Sequence, residues 1–209
     1  MSKPRILRFP EGFLWGTASA SHQSEGGNTN NQWYRWEQEG HILSGDTCDD
    51  ASDWWRRAES DFELAEQMEN NALRLSLEWS RIEPEEGHWD NSALERYRAM
   101  LSDLRRRHIT PVVTLHHFTE PLWFAERGGF TDAANTHLFV RYASYVVSQL
   151  KDLCDFWITI NEPNVYGVMG YLFGTFPPGE HSFKRALLVI RNLLQAHVET
   201  FHALSEIQP

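Results

Sequence analysis

Short apolar runs of strand length alternate with longer stretches in which apolar residues recur every three or four positions. Phe13–Leu14–Trp15–Gly16–Thr17–Ala18 reads as a first strand. A polar segment from about Ser21 to Asp50, rich in Asn, Gly and Trp, follows as a long loop, and loops of that length inside a compact domain are usually functional. Asp53 is placed to cap a helix carrying Trp54, Trp55, Ala58, Phe62, Ala65 and Met68 at helical spacing. Ala72–Leu77 is a second strand, with Arg74 and Ser76 on the face opposite the leucines. Pro84, Glu85 and Gly87 mark a loop, and a helix starts at Asn91 or Ser92 and runs to about His108. Pro111–His116 is a third strand, with Pro tolerated at its first position. After Pro121 and Gly128–Gly129, Thr131 or Asp132 starts a helix through about Leu150. Phe156–Ile160 is a fourth strand. A Gly/Pro-rich loop from Gly167 to Gly179 then leads to a last helix with Leu187, Ile190, Leu194, His197 and Phe201 on one face.

Four strands alternating with four helices predict an α/β fold with parallel pairing and right-handed crossovers. No linker, low-complexity segment or short sequence period interrupts the 209 residues, so residues 1–209 read as one folding unit. A hydrophobic fraction of 41% excludes disorder. The net charge of −10 argues against nucleic-acid and membrane-surface partners. Its one basic run, Arg105–Arg106–Arg107–His108, ends a helical pattern and reads as a solvated cap. Two cysteines, Cys48 and Cys154, are too few for a disulfide scaffold. Met1–Ser2–Lys3–Pro4 leads into no signal-peptide core, and no segment is apolar enough to span a bilayer, so the expected location is cytoplasmic. Nine tryptophans are first of all core residues, and secondly platforms for flat apolar ligand faces such as those of sugars.

The chemistry concentrates at Thr159–Ile160–Asn161–Glu162–Pro163. A strand that ends in Asn–Glu, with Pro blocking its continuation, presents an amide and a carboxyl group beyond the strand end. In a barrel of parallel strands that end is where catalysis sits. Shielded by Trp and Phe, Glu162 would have its charged form disfavoured, which suits a general acid. A plain Asn–Glu–Pro turn is the alternative. Gln23 offers donor and acceptor together, which suits paired sugar hydroxyls. His117 ends the third strand, whereas His116 points to the other side and reads as structural; neither has carboxylate partners at metal-ligand spacing. Arg74, inside a strand, needs a partner if buried. Glu78 and Glu83 read as surface or supporting carboxylates. No phosphate loop or metal cluster is evident, so no cofactor is expected.

The Thr159–Pro163 stretch resembles the acid/base signature of glycoside hydrolase family 1, the β-glucosidases and β-galactosidases. Phe9–Pro10 through Phe13–Gly26, Arg74–Arg81, Leu115–Phe118 with Pro121, and Ala196–His197 resemble further motifs of that family, in its order. The resemblance implies a TIM-type (β/α) barrel of eight strands, of which this chain carries the first four β/α units as a half barrel. It implies hydrolysis of β-glucosides or related β-glycosides with retention. By position, Glu162 would be the acid/base, Asn161 would hold the sugar 2-hydroxyl, Gln23 and His117 would bind hydroxyls in the first subsite, and Arg74 would lie under the site and orient carboxylates. Phe118 departs from a common Trp, which removes an indole donor.

A retaining glycosidase needs two carboxyl groups about 5–5.5 Å apart. The family's nucleophile ends the seventh strand, and no second signature of that kind occurs in this sequence. Three arrangements follow. A separate C-terminal half-barrel chain completes the enzyme, the chain is a catalytically incomplete or carbohydrate-binding half barrel, or two copies associate. In a twofold closure, Glu120, near the end of the third strand, stands closest to the missing nucleophile's position.

Overall fold

The computed structural model describes residues 8–209. The Met1–Pro4 reading lies outside the described residues. Four parallel strands form one sheet in the order β1 (Gly16–Ala18), β2 (Ala72–Ser76), β3 (Thr110–His116) and β4 (Phe156–Ile160). Helices follow each strand: α1 (Ser21–Ser24), α2 (Gln32–Gln38) and α3 (Trp54–Gln67) after β1; α4 (Trp79–Ile82) and α5 (Asn91–Arg106) after β2; α6 (Leu122–Glu126) and α7 (Thr136–Leu150) after β3; α8 (Pro163–Gly167) and α9 (Phe183–Ile207) after β4. This is the run of four consecutive β/α units expected of half a barrel.

The alternation in β2 determines which side faces the helices. Leu73, Leu75 and Leu77 enter the core shared with Tyr97, Met100 and Leu104 of α5. Arg74 and Ser76 take the opposite side, as the period of two requires. Trp79 closes the top of this layer, stacked on Tyr142 of α7 with ring centroids 4.8 Å apart. Register runs straight across the sheet: Arg74 pairs Ala18 on one side and Val112 on the other. Gly16 is obligatory there, since a Cβ would lie 2.2 Å from the Ala72 carbonyl oxygen.

Several boundaries differ from the sequence expectation. β1 begins at Gly16, because Asn71 intercepts the preceding backbone: its Oδ1 accepts from Trp15 N and its Nδ2 donates to Phe13 O. The polar segment after Ser21 is not all loop, since α1 and α2 lie in it; Asn31 caps α2 by accepting from Tyr34 N. Asp53 precedes α3 but does not cap it; its backbone takes φ 53° and its carboxylate faces Arg56 at 3.5 Å. The cap of α5 is Asp90, accepting from Ser92 N and Ala93 N. Two 3₁₀ turns occupy Gly129–Asn135, so α7 starts only at Thr136. A π-helical turn at Val168–Leu172 continues α8 into the loop read at Gly167–Gly179. The basic run does end α5, with its arginines paired to Asp103, Glu66 and Asp155. Both cysteines are free. Among the described residues, no helix is long and apolar enough to cross a membrane.

The largest correction concerns α9. Its buried stripe is Ala186, Val189, Leu193, Ala196, Thr200 and Leu204, packed toward α7 and α8. Of the face read from sequence, only Ile190 is half-buried, against Gly167; Leu187, Leu194, His197 and Phe201 are exposed. The helix is apolar on two sides, and a period of 3.6 cannot tell which side faces this core.

Candidate functional site

The carboxyl ends of the strands converge on Arg74. From β2, its Nη2 donates to Asn161 Oδ1 beyond β4 at 2.6 Å, and its Nε donates to Thr114 Oγ1 on β3 at 2.9 Å. One guanidinium therefore bridges three adjacent strands. Arg74 was expected to orient carboxylates; within these residues it holds an amide and a hydroxyl. Asn161 is buried, and its backbone N–H extends the β3–β4 ladder by donating to His116 O at 2.9 Å.

Glu162 follows at φ 43°, ψ 61°, a left-handed conformation that turns the chain sharply out of β4 and into α8, with Pro163 at the first helical position. The side chain was expected to be shielded by Trp and Phe. It is exposed instead, because β4 is a margin of this sheet, with no strand beyond it among the described residues. Among the described residues it forms no ion pair.

His117 lies just past the end of β3, half-buried, with Nδ1 unpartnered. Burial, helped by the nearby Arg74 charge, lowers its pKa to about 4, so the ring is neutral near pH 7 and carries one donor and one acceptor. Gln23, exposed on α1, lines the same cavity of about 280 Å³, together with Trp33, Phe118 and Phe176. Phe118 adopts φ 69°, and Gln32 Nε2 pins its carbonyl at 2.7 Å. His116 behaves as read: it is buried against Phe130, Phe139 and Tyr166, with its pKa lowered to about 3 by burial. Thr159, two residues before Asn161, bonds His197 at 2.6 Å, joining the β4 motif to α9.

Glu78 and Glu83 are fully buried, not surface groups. Glu78 Oε2 accepts from Ser21 Oγ and Thr119 Oγ1, both at 2.9 Å, and its Oε1 accepts from Ser80 Oγ at 2.7 Å. It thereby ties together the segments that carry Gln23 and His117. Glu83 accepts from Trp79 Nε1, Gly87 N and Arg141. Glu25, beside Glu78, is pushed up to about pKa 7 by burial, with Arg81 opposing. Sequence gave one signal for this network: hydroxyl residues recur at successive strand ends. Position alone had matched Glu120 to a nucleophile. Its side chain instead lines a different cavity from the one holding Gln23 and His117.

One cluster of metal-ligating residue types went unnoticed in the sequence. His22, Glu37 and Cys48 place ligand atoms within 4.8 Å of one another. Hydrogen bonds already use them: Asn31 Nδ2 approaches His22 Nδ1 at 3.3 Å, leaving Nε2 as the N–H toward Glu37 Oε1 at 2.9 Å, while Cys48 N donates to Glu37 Oε2. That tautomer turns a proton, not a lone pair, toward the cluster.

The sequence model described as Glycosyl hydrolase family 1 matches residues 6–209. A 1,4-beta-D-glucan glucohydrolase of Thermotoga neapolitana is 34% identical over 208 residues, covering 96% of this chain and 49% of that protein. The solved beta-glucosidase from Thermotoga maritima in complex with cyclophellitol superposes with a TM-score of 0.94 at 33% identity, over 97% of this chain and 48% of that one. A beta-glycosidase from Pyrococcus horikoshii gives 0.89 at 41% identity, over 96% and 47%. The chain spans about half the length of the relatives it matches.

Proposed function

We propose that this chain, which belongs to glycosyl hydrolase family 1, supplies the acid/base half of a retaining β-glycosidase acting on terminal β-D-glucosides or related β-glycosides. The observation that carries the reading is the Arg74–Asn161 bond, which fixes the Asn–Glu pair at the carboxyl end of β4. Asn161 holds the sugar 2-hydroxyl with its amide nitrogen, since its oxygen is engaged by Arg74. Glu162 protonates the glycosidic oxygen as the leaving group departs and then takes a proton from the water that releases the sugar. Gln23 and neutral His117 bind glycone hydroxyls in the cavity they share, with Trp33 and Phe176 as its apolar wall. No step calls for a metal or cofactor.

The nucleophilic carboxylate comes from the part of the barrel that these four units do not build. Residues 1–209 act as one unit, in the cytoplasm. The exposed side of α9, including Phe183, Leu187, Leu194, Val198 and Phe201, is the surface onto which further β/α units pack. The same exposed stripe favours a second reading, in which two copies cover it by association.

Purified chain is assayed on nitrophenyl β-glucoside, alone and mixed with a C-terminal half barrel from a family relative, with mass in solution measured in parallel. Turnover only in the mixture, in a one-to-one complex, supports the reading. Robust turnover by the pure chain refutes the division of labour, and a well-formed but inert complex refutes the acid/base assignment.

A further inference from the structure

The larger cavity, about 570 Å³, is separate from the proposed sugar site and lies among α2, α6, the π-helical turn and the loop that leads to α9. That volume is in the range that holds small ligands. Glu120 is one of its walls, and only 3% of the residue is exposed. Its Oε1 accepts from Tyr166 OH at 3.1 Å, while Oε2 has no hydrogen-bond partner. Among the described residues no cation pairs with it. Burial raises its pKa to about 8, against the Tyr166 hydrogen bond, so the group is mostly neutral at pH 7.

The other charges around the cavity are already matched. Arg35 pairs with Glu126 at 2.5 Å, Arg185 pairs with Glu180, and Glu39 faces His41 at 3.4 Å. His181 lies near the mouth, and the hydroxyls of Tyr166 and Tyr171 stay protonated through burial. Among the described residues, Glu120 is thus the one carboxyl group of the cavity without a basic neighbour. Trp36, Tyr166 and Tyr171 add aromatic surface, and Trp36 Nε1 is also buried without a partner. An unpaired acid among aromatic rings suits a cation that tolerates partial desolvation. A hard divalent metal would require several free oxygen ligands, which the paired carboxylates do not offer.

We infer that this cavity is a binding site for an organic ammonium ion, with Glu120 as its counter-ion and Trp36, Tyr166 and Tyr171 as its walls. The cation binds to the ionised carboxyl group, so occupancy at neutral pH expels the Glu120 proton to solvent. The ligand stays charged to about pH 10, so of the two members of the ion pair only Glu120 changes charge across the working range.

The test uses the full chain and n-butylammonium, with n-butanol as the uncharged match, followed by calorimetry from pH 6 to 9. Below about pH 8 the affinity should rise about tenfold per pH unit and then level off, because each binding event removes one proton. Titrations at pH 7 in two buffers of different ionisation enthalpy should show about one proton released per ligand. E120Q, which keeps the shape and can still accept from Tyr166, should weaken binding at least tenfold at pH 8.5 and abolish the pH dependence. The proton count on the unaltered chain stands even if E120Q folds poorly. Absence of n-butylammonium binding, equal binding of n-butanol, no proton release, or unchanged binding by a folded E120Q overturns the site. None of these readouts depends on glycoside turnover.

Discussion

Arg74 and Asn161, 87 positions apart, share a 2.6 Å hydrogen bond from a guanidinium on β2 to an amide oxygen just past β4. The bond settles which end of the Asn161 amide is free: its oxygen is engaged, so its nitrogen is left to donate. Arg74→Met should therefore free Asn161 to rotate. In the completed enzyme the expected loss in kcat/KM is about 10²-fold, consistent with removing a charge-assisted bond of about 1.5–3 kcal/mol. Arg74→Lys should not restore activity, because one ammonium cannot hold Thr114 and Asn161 in the same fork. Steady-state kinetics on both variants test this; full activity of Arg74→Met would refute it.

Glu162→Gln separates acid catalysis from binding. Substrates with poor leaving groups need protonation, whereas activated aryl glycosides leave without it. The variant should lose about 10²–10⁴-fold on alkyl glucosides and far less on dinitrophenyl glucoside. Equal losses on both would argue against the role.

Glu78 lies out of reach of solvent, accepting from three hydroxyl groups on three segments. Glu78→Ala leaves those donors unsatisfied and opens a void. The expected cost is about 2–4 kcal/mol, read as a shift in the urea midpoint. Ser80→Ala removes a single bond and should cost about 1 kcal/mol. Similar midpoints for the two variants would show that Glu78 is not the hub.

The pH dependence of stability has a definite sign. Glu120 is raised from 4.5 to about 8 and Glu25 from 4.5 to about 7. Each binds more protons folded than unfolded across those windows, so each contribution is complete below pH 4.5 and is lost as pH climbs toward the folded value. His116 and His117, lowered from 6.5 to about 3 and about 4, act oppositely: their contribution is complete above pH 6.5 and is lost as pH falls. The two pairs offset one another between about pH 4.5 and 6.5. Above pH 6.5 the glutamates act alone, and stability should decline toward pH 8. In Glu120→Gln that alkaline decline should shrink and end near pH 7. Urea midpoints measured at half-unit steps check it, and an identical slope in the variant would contradict the burial of an ionisable group there.

The sequence carried the strand order well, because that order rests on local pattern. Leu73, Leu75 and Leu77 alternate with Arg74 and Ser76, and that period placed Arg74 on the face opposite the leucines. What it could not carry depends on partners distant in the chain. Nothing near Glu78 announces Ser21 and Thr119, 57 and 41 positions away, so the sequence left open whether this carboxylate lay at the surface or in a supporting role. The two-sided apolar character of α9 concealed its packing for a related reason: Phe183, Leu187, Leu194, Val198 and Phe201 are apolar yet exposed. Glu162 differs from its expected shielding on the same ground, since β4 is a margin of the sheet.

Among the described residues, the first and last strands each have a neighbour on one side only. Their outer amides and carbonyls form ready templates for any extended segment that arrives. A partner that completed the cylinder, as proposed, would therefore also act as a guard. At high concentration the polypeptide on its own should lengthen into stacked strands, as far as those two rims stay open.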